Sequence, residues 1–250
     1  MKQIEKPVTI EENDTFKEVF SKYGALALDK QENLSDLIGE TVGDLDIEKG
    51  VITFGDIEFP AQILGFYSQD LNQWSWAWDN EDIFGKDLIK SALEIKEIGD
   101  KFNFPEFNAP VISLSFETCH TIAMTATSLL KMDAYYAVSE EGLDIFVAIK
   151  SDLIKENDSL LKFRNTFYNF QKNFKIYPKI AFEAYTKLKG YGFKPHDDFA
   201  VAKIGESRLI VGFTERGNVT RILMYDEEDD NWKYESWFSR RNWLFDWFTF

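Results

Sequence analysis

The sequence predicts an α+β protein: an antiparallel β-meander with packed helices, followed by a helical pair and a second four-stranded antiparallel meander. Three observations carry this. Short β-rich runs separated by Gly-containing turns fill residues 44–78. Leu160, Phe163, Phe167, Phe170 and Phe174 step by 3, 4, 3 and 4, an apolar helical stripe. Four more β-like runs, broken by turn signals, follow residue 199.

Taken in order, the spacing first predicts a short helix with Asp14 as its cap, containing Phe16, Val19, Phe20 and Tyr23 and stopped by Gly24. Strands are expected at 44–47, 51–54 and 57–66, punctuated by Lys49-Gly50 and Gly55-Asp56. Strict alternation over 73–78 predicts another strand. Asp79 or Asn80 then caps a helix to about 98, with Leu88, Ala92 and Ile95 on one face and Gly99 ending it. After Pro105 and Pro110, Ser115 caps a helix to about 131, and 134–138 pairs with 143–149 as a hairpin. Asn157 or Asp158 caps the Phe-striped helix, Pro178 opens the next one, and Gly190 ends it. The final meander is expected from 199–204, 208–214, 219–225 and 232–238, ahead of an aromatic tail at 242–250.

Composition narrows the class. Of 250 residues 44% are hydrophobic, which excludes a disordered chain. One Cys excludes an intrachain disulfide framework, and two His leave little for a zinc site, so no metal and no cofactor are expected. The N-terminus has no apolar leader, and the most apolar long stretch, 111–130, carries Glu117 and His120, so a cytosolic protein without a membrane span is expected. The net charge of −15 is unevenly placed. Residues 1–150 hold 12 basic and 28 acidic residues, a net of −16; residues 151–250 come to +1, with a +6 stretch at 155–194. This shift, together with the completed helix–meander–hairpin unit before it, places a domain boundary near residue 150. The acidic part disfavours DNA or an anionic membrane as a partner and suits a basic protein.

The run Ile63-Leu64-Gly65-Phe66-Tyr67-Ser68, followed by Trp74-Ser75-Trp76-Ala77-Trp78-Asp79-Asn80, resembles an uncharacterised bacterial domain family of unknown function marked by an LG…S…WxWAWxN pattern. The resemblance covers about residues 15–150, taking in Gly50–Phe54 upstream and Phe104-Pro105-Glu106-Phe107 and Ala134-Tyr135-Tyr136 downstream. It implies a domain and names no reaction.

On a strand, Trp74, Trp76 and Trp78 share one face. Three indoles in a row either stack on a ligand, with Tyr67, Ser68 and Asn80 as a polar rim, or form one side of the core. Cys119 and His120 are adjacent on a helix and point about 100° apart, a poor arrangement for a nucleophile and its base. Glu117 and His120, at i and i+3, make the better pair, one that fixes a histidine. His196-Asp197-Asp198, on a loop, offers carboxylates that a hard cation could use, but no second constellation supports it; the acidic run 226–230 lacks the spacing of a cation loop and reads as a solvated turn. No Gly-rich phosphate loop, GxSxG, HExxH or CxxC occurs, so no catalytic residues are assigned.

The leading expectation is a non-enzymatic, cytosolic bacterial binding protein of the immunity or antitoxin kind, masking a basic protein partner through its acidic N-terminal part. The alternatives are an enzyme or small-ligand-binding protein built on the Trp74/Trp76/Trp78 platform, and a structural subunit docking through its aromatic tail.

Overall fold

A computed structural model describes residues 7–225. Its elements in order are α1 (Phe16–Ile38), β1 (Asp44–Asp46), β2 (Val51–Phe54), β3 (Ile57–Ser68), β4 (Gln73–Trp76), a 3-10 turn (Ala77–Asn80), α2 (Glu81–Phe84), α3 (Lys90–Phe102), α4 (Pro105–Asn108), β5 (Val111–Ser113), α5 (Phe116–Leu129), β6 (Ala134–Glu140) and β7 (Leu143–Ile149). They continue with α6 (Leu160–Asn173), α7 (Pro178–Leu188), β8 (Gly192–Pro195), β9 (Phe199–Ile204), β10 (Ser207–Phe213) and β11 (Val219–Tyr225). The fold is α+β: a curled antiparallel sheet packed with helices, then helices and a second four-stranded antiparallel meander.

The chain divides into two compact units. The first comprises, among the described residues, 7–10, 17–26 and 157–225; the second comprises 11–16 and 27–156.

The second unit is organised by the twelve-residue strand β3. It pairs with β2 over Ile57–Pro60, with β7 from Ala61 to Ser68, and with β4 from Gly65 to Ser68. A register shift between Ile63 and Gly65 marks a bulge, the usual device for bending a strand so that a sheet curls. The core holds Ile52, Phe54, Phe59, Ile63, Trp74, Trp76, Phe107 and Phe146. The α3 side chains Ala92 and Ile95 are buried as the spacing predicts. Gly99, however, does not end that helix. It lies inside α3 with Phe107 against it, where a Cβ would come within 2.7 Å of the Phe107 Cβ, and left-handed Asn103 forms the cap instead.

In the first unit the Phe stripe of α6 faces α7: Phe163 stacks on Tyr185 at 4.5 Å and Phe167 lies 5.0 Å from Phe182. The cap of α6 is Ser159, which accepts from the Lys162 amide, rather than Asn157 or Asp158. Pro178 opens α7 and Gly190, at φ 72°, follows its end. The sheet order is β11-β10-β9-β8, so its fourth strand is Gly192–Pro195, which precedes the three runs expected from 199 onward. The run 232–238, the acidic run 226–230 and the aromatic tail lie outside the described residues.

Helix α1 contradicts its prediction most clearly. It runs 23 residues, straight through Gly24. A Cβ on Gly24 would meet Phe170 at 2.5 Å and Phe20 at 2.6 Å. The glycine is there so that two aromatic rings can close on the helix, a packing demand that outweighs its poor propensity.

Candidate functional site

The tryptophan motif is built into the core. Trp74 and Trp76 on β4 are both 0% exposed. Gly65, opposite Trp76 in the β3–β4 register, lacks a Cβ because Trp74 lies across it: an added Cβ would come within 2.6 Å of the Trp74 ring and of the Ser75 carbonyl. Trp76 donates from Nε1 to the Glu106 carbonyl at 3.0 Å. The helical partner for that carbonyl would be the amide of residue 110, which is Pro110 and has no N–H, so the indole fills the role. The strand ends at Trp76, because the chain turns into the 3-10 segment at Ala77. Trp78 is therefore carried off the strand face. It is half-buried, with the Lys96 ammonium 4.8 Å over its ring, and Asn80 follows in the same turn. The three indoles thus do not make one exposed face.

Tyr67 and Ser68 lead elsewhere, to a pair of turns at one end of the curled sheet. After Ser68 the chain makes the turn 69–72, in which Asn72 takes the left-handed conformation at φ 50°. Its side-chain carbonyl accepts from the Tyr67 hydroxyl at 3.0 Å. Beside it, Glu141 (φ 37°) and Gly142 (φ 85°) form the tight β6–β7 hairpin turn. Pairing of β3 with β7 sets Ser68 opposite Leu143, and the Gln69 amide donates to the Gly142 carbonyl at 3.0 Å, so the two turns are held together. The start of α5 joins them through the Leu114 amide, which donates to the Asn72 carbonyl at 3.0 Å. Ser115 caps α5 as predicted.

The surface of this end is acidic and partly apolar. Asp70, Glu117, Glu140 and Glu141 are exposed, and so are Leu71 (66%) and Leu143 (38%). A Cβ on Gly142 would lie 4.0 Å from an Asp70 carboxylate oxygen, which places that acid against the neighbouring turn.

Beneath it lies a polar group of residues. Asp144 is 0% exposed, and its carboxylate accepts from Ser139 Oγ at 2.5 Å and from Gln69 Nε2 at 3.0 Å. Burial pushes the Tyr67 hydroxyl up, with the charges of Asp144 and Glu117 adding to it. The Cys119 thiol is likewise pushed up, first by burial and then by Asp144, so it stays protonated and is no nucleophile. His120 is buried among Phe116, Tyr135 and Phe146, with Nδ1 and the Tyr135 hydroxyl 2.9 Å apart. Burial lowers its pKa to about 4, against the opposing charge of Glu117, so at neutral pH the ring is uncharged. The Tyr135 hydroxyl contacts this ring, and the charge of Glu117, three residues earlier, acts on it as the spacing predicts.

Sequence reasoning passed over Asp144, although a signal was present: it is the one charged residue in the otherwise apolar strand 143–149. Elsewhere, His196 stacks on Phe199 at 4.1 Å in the turn between β8 and β9. Among the described residues no group of three His, Cys, Asp or Glu is placed to hold a metal ion, and no helix is long and apolar enough to cross a membrane.

A family of unknown function, DUF6882, matches residues 17–152, the span that contains the Trp motif and both turns. No curated protein and no solved structure matches the chain.

Proposed function

The chain belongs to DUF6882, a family of unknown function, and from that premise we propose that it is a non-enzymatic binding protein whose acidic unit masks a basic protein partner. One observation carries the reading. The division into units sharpens the charge asymmetry seen along the sequence. The unit made of 11–16 and 27–156 holds 28 acidic and 9 basic residues, a net of −19. The described part of the other unit holds 7 acidic and 14 basic residues, a net of +7. So strong a single-sign field raises the encounter rate with an oppositely charged partner and disfavours polyanions.

An immunity or antitoxin role in a bacterial cytosol fits such a masking protein. The reading of a ligand stacked on three indoles is left without its platform, since Trp74 and Trp76 are core side chains. The test is capture from the native cell at low ionic strength, followed by a salt gradient. The expected result is a basic protein that elutes as salt rises. A partner retained in high salt, or no partner at all, would refute the reading.

A further inference from the structure

We propose that the paired-turn end of the acidic unit receives a lysine or arginine side chain of the partner, with buried Asp144 as the counter-charge for its head group. This rests on the reading that the partner is basic, and it assigns the contact to one place. Asp144 is fully buried, yet both side chains that donate to it, those of Ser139 and Gln69, are neutral. Among the described residues no Lys, Arg or His lies within ion-pair distance of it. Folded proteins seldom keep a buried carboxylate without a cation, because its desolvation is not offset.

The missing charge has a route in. The carboxylate lies one side chain below the surface, since Ser139, near the end of β6, and Gln69, in the turn 69–72, are themselves exposed. An incoming ammonium or guanidinium displaces the Gln69 amide and takes over its hydrogen bond, now charge-assisted. Asp70, Glu140, Glu141 and Glu117 surround the entrance and concentrate cations there. Leu71 and Leu143 offer apolar surface for the methylene stem that such a side chain carries.

The test uses the full chain and three synthetic probes: a peptide of alternating leucine and lysine, the same peptide with glutamine for lysine, and a lysine homopolymer of equal charge. In heteronuclear NMR titrations the leucine–lysine peptide is expected to shift the Gln69 side-chain amide together with the backbone amides of 69–72 and 139–144, and the glutamine peptide is expected to leave them in place. D144N keeps the shape and removes the charge, so it is expected to weaken binding at least about tenfold, the worth of one charge-assisted hydrogen bond. Its melting temperature is expected to hold or rise, because a buried unpaired charge is gone. L71S, at an exposed site, is expected to weaken binding without changing the melting temperature. Unchanged binding by D144N, or a lower melting temperature with binding intact, would make Asp144 a structural group and overturn the proposal. Shifts that fall on the acids of α3, Glu94, Glu97 and Asp100, would overturn it while sparing the wider reading. If neither cationic peptide binds at low salt, both fall.

Discussion

Replacing Trp74 and Trp76 one at a time by Phe separates hydrogen bonding from packing in this core. Both indoles have zero exposure and lie on the same strand, 5.2 Å apart and edge to face. Both changes remove the same atoms, so the terms for lost burial and residual cavity are similar and largely cancel in the difference. What remains is the indole N–H. Trp76 Nε1 donates to the Glu106 carbonyl, so W76F removes that bond and leaves a part-buried carbonyl without its donor, at about 1–3 kcal/mol. Trp74 Nε1 is buried with no hydrogen-bond partner among the described residues, so W74F removes an orphan and recovers a desolvation cost of about 1–3 kcal/mol. W76F is therefore expected to be less stable than W74F by about 2–6 kcal/mol. Urea unfolding followed by far-ultraviolet circular dichroism reads this as a midpoint difference of roughly 1–3 M, for slopes of about 2 kcal/mol/M that should match between the variants. Equal midpoints, or a W74F midpoint below that of W76F, would refute the reasoning.

Other consequences are open to similar measurements. G24A adds a methyl where Phe170 and Phe20 already sit, so overpacking of about 1–3 kcal/mol should outweigh the gain of about 1 kcal/mol in helix propensity, and F170L in the same chain should restore part of the midpoint. His120 has a folded pKa of about 4, below its ordinary value of 6.5, so its contribution to stability is complete above about pH 6.5 and is lost as pH falls through 4. Unfolding free energies from urea titrations at pH 7.5 and 4.5 should differ by up to about 3 kcal/mol from this group, and H120N should flatten that difference. S115A removes the α5 cap and should cost about 1 kcal/mol of unfolding free energy in the same assay.

The elements legible in the sequence are those set by local chemistry. The hydroxyl of Ser115 before an apolar helix, Pro178 at a first turn, and the 3-4 stepping of Phe on α6 each act over a few residues, and each reads correctly. The errors have a common cause in long-range packing. Gly24 and Gly99 read as helix stops, yet each is small because an aromatic side chain of another helix, Phe170 on α6 or Phe107 on α4, presses on the backbone. The alternation over 73–78 is real only as far as Trp76, since nothing in the spacing shows that the chain turns at Ala77. The candidate site was the least legible feature of all. Its two turns lie about 70 residues apart and meet only through the pairing of β3 with β7. Tyr67 and Ser68 read in the sequence as a rim for the indoles, and in the fold they lead to these turns.

Helix α1 has a bearing on the order in which the chain is made. Its first half belongs with residues that emerge much later: Phe20 packs against Phe170 and Phe174, and the Tyr177 amide donates to Ser21 Oγ across 156 positions. During synthesis the Phe20 ring and the bare backbone at Gly24 stay uncovered until α6 has left the ribosome. Contacts of such long sequence separation form late, and the nascent chain holds a sticky surface in the interval. The family match begins at residue 17 and ends at 152, so it includes this half-helix without the residues that cover it. A fragment cut to the matched span would inherit that surface permanently.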